Sequence, residues 1–314
     1  MSVELKLAIH MEPGKPSWSA YERWAQKLGE LSGGEIKIKM SYSGIIGIEE
    51  WNNLLSHHCD IARVFTMNME PFPMHSVPAL PYLMPPGEEN LAILNRIYDK
   101  YLYREWTPVK VLWLGLMSPY HLHTVKKPVH RLEDFRGLRL QTPPGLVAQL
   151  VTVWGGIPVD LTPTGEKISR QGLAEAEYSA LKTGAIDGLV STFEVTKDFK
   201  LYEVTRYHTY LHTVRDVNAT IMNLETWNSL PPSLQKIFDS LNSWTQKEMD
   251  AAQKTESHEA EDLLKEKGHT MIDLSEVEFR RFVESSRKLT GTIIRSLKVQ
   301  GIPAKELAAE LEKV

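Results

Sequence analysis

Apolar and polar positions alternate over Leu5–Ile9, the period of a strand with one buried face, and the prolines at 13 and 16 break the pattern. Trp18, Tyr21, Leu28 and Leu31 then recur at helical spacing, predicting a helix that Gly33-Gly34 stops. Alternation returns through Ile36, Ile38, Met40 and Tyr42. Strand, helix and strand in that order predict a parallel pair joined by a crossover helix.

The alternation of elements continues. A helix is expected over Glu49–His58, a strand over Asp60–Thr66, a proline-rich non-helical stretch from Pro71 to Pro86, a helix over Asn90–Trp106 and an apolar strand over Val109–Leu116. His121–Val125 reads as extended, and Lys126-Lys127-Pro128 marks a change of region. Beyond it come a turn at Leu132–Gly137, a strand over Leu138–Thr142 and a helix over Leu146–Trp154. A helix near Lys167–Lys182 and a strand over Ile186–Thr192 complete a second α/β unit. The tail differs. Pro231–Glu266 reads as one long helix, with Ser229 placed to cap it and Pro231-Pro232 in its first turn, and Ser275 to Glu278 form a capping box for another.

Composition narrows the classes. The chain has 314 residues, 42% hydrophobic and 24% charged, which suits a globular protein of two domains. A formal net charge of −4 supplies no basic stripe for phosphates, so no nucleic-acid partner is expected. The longest apolar runs, such as Val111–Met117, fall far short of a bilayer span, so no direct membrane insertion is expected. Cys59 is the single cysteine, which excludes an internal disulfide and a cysteine-based zinc cluster. It is expected to be inert. The chain begins Met-Ser-Val-Glu-Leu-Lys without a signal peptide, compatible with a cytosolic protein or with an exported one whose signal has been removed.

Little in the sequence points to catalysis. Gly33-Gly34 and Gly155-Gly156 follow helices and act as caps, not as phosphate loops, and there is no Walker loop or GxSxG elbow. His57, His58, Cys59 and Asp60 are the densest metal-capable run, but adjacent residues at a helix end point in different directions. His121 and His123 share a strand face and form a possible metal pair, with hydrogen bonding the blander reading. No metal or cofactor is expected. Eight tryptophans exceed what a core of this size needs, and a subset would make a stacking pocket.

Specific residues carry a family resemblance. Lys127 to Pro143 resembles the "KPI…DLKGLKLRVP" signature of the DctP-like solute-binding subunits of TRAP transporters. In order along the chain, Leu31–Ile36, Ala79–Leu83, Leu181–Gly188, Lys200–Val204 and Thr226–Pro231 resemble further family segments, so the likeness covers nearly the whole chain. It implies an α/β, two-lobed periplasmic-binding-protein fold, each lobe a β-sheet flanked by helices, with a long helix in the C-terminal part. By that resemblance residues 1–123 with 213–250 form one lobe, 124–212 with 251–314 the other, and a ligand cleft lies between. It further implies a periplasmic, monomeric protein that is not an enzyme and that passes a small organic ligand to TRAP membrane subunits.

The departures concern the ligand. The family's carboxylate-binding arginine falls at Gln141, its second arginine at Tyr120, and its asparagine at Ser191. None of these neutralises a carboxylate, and burying one unpaired costs several kcal/mol. A ligand that is neutral, zwitterionic, cationic or aromatic is therefore the first expectation. The alternatives are an organic acid held by a substitute arginine, Arg63 or Arg139, and a two-domain α/β enzyme using His10, Glu49 or His121. Matching the family's other pocket segments nominates His10, Glu49, Phe65 and Asn68, with Trp18 and Phe193 as aromatic contacts. Thr162–Gly172 is longer than the family's usual connection there.

Overall fold

The structure, a computed structural model, describes residues 2–43, 48–67, 70–84, 90–162 and 169–312. It divides into two compact units. The first comprises Met1–His75, Pro86–Met117 and Asp216–Glu256; the second comprises Ser76–Pro85, Ser118–Arg215 and Ser257–Val314.

The first unit is built on a five-stranded sheet of order β2-β1-β3-β10-β4. Strands β1 (Val3–Ile9), β2 (Ile36–Tyr42) and β3 (Ile61–Phe65) run parallel, as the strand-helix-strand pattern predicts. Strand β10 (Val217–Asn223) enters antiparallel between β3 and β4 (Val109–Leu116). Helices α1 (Pro16–Leu31), α2 (Ile48–Leu55), α3 (Asn90–Lys100) and α7 (Leu224–Ser229) belong to this unit. So does α8 (Pro232–Glu266) as far as Glu256. Leu5, Leu7 and Ile9 of β1 are buried with Tyr21, Trp24 and Leu28 of α1 and Phe238 of α8 in one core. Each such side chain contributes about 1.5–3 kcal/mol on burial. The expected helix through His58 ends at Leu55, because His57 takes a left-handed φ of 59°. Ser229 does not cap α8: its hydroxyl donates back to the Thr226 carbonyl at 2.7 Å, and Pro231 supplies the first carbonyl of the long helix.

The second unit has a six-stranded sheet of order β11-β9-β5-β8-β6-β7. Its strands are β5 (His121–Thr124), β6 (Arg139–Gln141), β7 (Ile157–Val159), β8 (Gly188–Ser191), β9 (Tyr207–Thr209) and β11 (Thr270–Ile272). Strand β6 is parallel to β7 and β8, while β5 is antiparallel to β8 and β9. Gly188 is required where β5 meets β8, since a Cβ there would lie 2.3 Å from the His123 carbonyl oxygen. The helices of this unit are α4 (Leu146–Val153), α5 (Arg170–Thr183), α6 (Phe193–Asp198), α9 (Glu276–Val299) and α10 (Ala304–Leu311). Phe135, Trp154 and Phe282 pack edge to face with centroids 5.1–5.5 Å apart. Ser275 caps α9 by accepting from the Glu278 amide, while the Glu278 carboxylate turns to Leu132 and Arg281.

The units divide at Met117/Ser118, Arg215/Asp216 and Glu256/Ser257. The first two divisions have a backbone cause. Strand β5 pairs with β8 and β9, and Tyr120 exchanges hydrogen bonds with Thr213 and Val214, so these residues group with the second sheet. Ser76–Pro85 joins the second unit as well, where Tyr82 packs on the Phe279 ring at 5.4 Å.

Candidate functional site

In the first unit, parallel pairing brings the C-terminal ends of β1 and β3 together. His10 follows β1 and Phe65 closes β3, and their rings lie 4.7 Å apart. Such strand ends are where α/β sheets usually take ligands. Burial, reinforced by the charge of Arg63, holds the His10 imidazole well below its usual pKa and keeps it neutral.

Arg63 is only 5% exposed. Its Nε donates to Asn218 Oδ1 at 3.1 Å, and its terminal nitrogens meet the thioethers of Met11 at 3.0 Å and Met117 at 3.7 Å. The guanidinium also lies 5.3 Å from the centroid of the Phe65 ring. Thioether sulfur is a weak acceptor, and among the described residues no carboxylate pairs with this guanidinium. A small cavity is lined by Arg63, Trp113, Asn218, Gln246, Asp250 and Gln253, with Asp250 already paired to Lys254 at 2.8 Å.

The other first-unit candidates stand differently. Trp18 is 9% exposed within the core, and its indole N–H is taken by Glu22 at 2.8 Å. Glu49 lies in the first turn of α2, half-buried. Asn68 lies outside the described residues, as do positions 163–168 of the longer connection.

In the second unit Gln141 ends β6, Ser191 ends β8, and His121 opens β5 directly opposite Ser191. Because β5 runs against β8 and β8 runs with β6, all three sit at the same end of these neighbouring strands. Gln141 is 5% and His121 3% exposed. Phe193 opens α6, where Thr192 is the cap, and His121 stacks on its ring at 4.6 Å with Tyr210 and His212 edge-on. His121 Nδ1 is buried without a hydrogen-bond partner among the described residues. Burial, then His212, His123 and His208, hold its pKa well below the usual range, so it is a neutral ring. Tyr120 is held through its backbone by Thr213 and Val214.

Arg139 has a different occupation. Its Nε and Nη2 form a fork on Asp187 at 3.0 and 2.8 Å, and Nη2 also reaches the Gly184 carbonyl. Asp187 is held below its ordinary pKa chiefly by that contact. Arg139 is thus already paired.

The metal-capable runs serve other ends. His123 Nε2 faces the Ser191 carbonyl at 3.3 Å and must donate. Its Nδ1 then accepts from His208 Nδ1 at 2.8 Å, and His208 Nε2 accepts from His269 Nδ1 at 2.8 Å. Both nitrogens of His123 are used, and its ring shares Phe193 with His121, at centroid distances of 5.3 and 4.6 Å. His57 reaches Glu225, His58 bonds Ser56, and Asp60 accepts from the Lys6 amide, so that run diverges. Cys59 is buried, and desolvation raises its thiol to about 11, leaving it protonated at neutral pH.

Sequence reasoning did not nominate Asn218, and it weighed His121 for metal binding, hydrogen bonding or acid–base work and not as a ring stacked on Phe193. The signal for His121 was its place on a strand facing Ser191, which only the β5–β8 pairing reveals.

Residues 7–296 match the family described as bacterial extracellular solute-binding protein, family 7. The chain belongs to that family. It is a solute-binding protein and not an enzyme. A Haemophilus influenzae protein without assigned function is 28% identical over 223 residues, 69% of this chain and 63% of its own length. A TRAP periplasmic solute-binding protein from Desulfovibrio salexigens is 25% identical with a TM-score of 0.81, covering 100% of this chain and 95% of that one. A marine metagenome TRAP solute-binding protein described as specific for aromatic acids, solved with 3-hydroxybenzoate, is 21% identical with a TM-score of 0.86. That likeness covers 99% of this chain and 97% of that one. These two-lobed proteins match the two helix-flanked sheets of this solute-binding protein.

Proposed function

We propose that this solute-binding protein captures a small organic carboxylate, aromatic acids above all, and delivers it to the membrane subunits of a TRAP transporter. The observation that carries the reading is Arg63, a guanidinium buried on weak thioether acceptors with no carboxylate partner among the described residues. A buried charge held this way costs several kcal/mol unless a counter-charge arrives, and a ligand carboxylate supplies one.

Three further points support it. Arg139, the other substitute arginine, is committed to Asp187. Gln141, Ser191 and neutral His121 of the second unit offer hydrogen bonds and no positive charge, so none of them is a rival to Arg63 as counter-charge. The Phe65–His10 pair beside Arg63 favours a planar ring. The 3-hydroxybenzoate complex of the metagenome protein agrees with the ligand class.

The experiment is a mass spectrum of the small molecule released on denaturing the purified protein. A carboxylic acid supports the reading. A permanently neutral or cationic compound would return the account to a ligand without a carboxylate.

A further inference from the structure

We infer that Asn218 is a ligand-binding residue whose side-chain amide donates to the carboxylate that Arg63 anchors, and that Gly115 leaves the room it needs. This rests on the proposed function and adds a specificity residue to it.

Asn218 lies in β10 opposite Phe65 on one side and Gly115 on the other, and is 3% exposed. Its orientation is not free. Arg63 Nε can only donate, so the Asn218 atom 3.1 Å away is the amide oxygen and the remaining atom is the NH2 group. That Nδ2 is buried with no hydrogen-bond partner among the described residues. Asn218 and Arg63 line the same small cavity of the first unit. A buried donor left unmade is costly, and one beside an unpaired guanidinium calls for an acceptor carrying negative charge. One carboxylate satisfies both groups.

Gly115 explains how the amide is accommodated. A Cβ at this position would lie 2.9 Å from Asn218 Oδ1 and 3.2 Å from Nδ2, both too close. Glycine within a strand, here one residue before the end of β4, weakens it, and a close approach by another group is a usual reason for it. Here the approaching group is the Asn218 amide.

The test uses the whole chain with benzoate and 3-hydroxybenzoate as probes, each titrated by calorimetry against wild type, Asn218→Asp, Gly115→Ala and Arg63→Met. Asn218→Asp keeps the shape but replaces the free donor with a carboxylate oxygen that occupies Arg63. We expect it to weaken the better probe at least tenfold, with a cooperative thermal melt retained. Gly115→Ala, which displaces the same amide without touching Arg63, is expected to weaken binding several-fold, and it carries the test if Asn218→Asp does not fold. If Arg63→Met loses binding while the folded Asn218 and Gly115 variants bind within twofold of wild type, the Asn218 assignment is wrong and the proposed function stands. If wild type binds neither probe, or Arg63→Met binds as well as wild type, the proposed function fails and this inference fails with it.

Discussion

Replacing Arg63 by methionine separates a ligand anchor from a structural arginine, because the two roles give different results in two assays. The change removes one hydrogen bond to Asn218 at 3.1 Å, a loss of about 1 kcal/mol. It also removes a guanidinium that is 5% exposed and lacks a carboxylate partner, and apolar replacement of buried charge is often neutral or stabilising. The two effects oppose, so ligand-free stability should stay within about 1 kcal/mol of wild type. A bound carboxylate would lose a charge-assisted hydrogen bond of about 1.5–3 kcal/mol, a roughly ten- to hundredfold rise in Kd. Calorimetry with 3-hydroxybenzoate and thermal melts with and without it read both quantities, since ligand stabilises the folded chain by an amount that grows with the logarithm of its affinity. A variant that melts far below wild type yet binds with unchanged affinity would refute the reasoning.

Arg139→Ala should leave affinity within twofold, and should cost under about 1 kcal/mol of stability, because its fork on Asp187 is partly exposed; calorimetry and melts check both. Burial holds the His123 imidazole down at about 4, whereas the unfolded chain protonates it near 6.5. The stability it contributes is therefore present above about pH 6.5 and lost as pH falls towards 4, and urea midpoints of His123→Gln should fall less over that window. Asp216 has the opposite sign. Desolvation raises it to about 7, against roughly 3.9 unfolded, so its contribution is present below about pH 4 and lost as pH rises through 7. Asp216→Asn, which can still accept from the Met67 amide, should exceed wild type in urea midpoint at pH 8 and match it near pH 4.

Legibility in the sequence followed the physics of each element. β1 and β2 were readable because Leu5, Leu7 and Ile9 face one buried side while Glu4 and Lys6 are exposed, and Ile36 and Ile38 alternate with exposed Lys37 and Lys39. β10 was not, since all seven of its residues are buried and the strand carries Asn218 and Thr220 inward. The Asn218 amide oxygen and the Thr220 hydroxyl are met by Arg63 and Tyr21, partners 155 and 199 residues away, so no local pattern announces the strand. The same distance hid the site. Arg63 and Arg139 looked equivalent until Asp187 was seen to hold Arg139. Strands β7, β9 and β11 have three residues each, too short for a period to register.

The central claim is that the ligand enters as a carboxylate, and a matched pair tests it most directly. Benzoate and 3-hydroxybenzoate are titrated by calorimetry beside benzamide and 3-hydroxybenzamide, which keep ring and shape but carry no charge. The account predicts that at least one acid binds and that its amide binds at least tenfold more weakly, the loss of a charge-assisted hydrogen bond to Arg63. An amide that binds as tightly as its acid would contradict it.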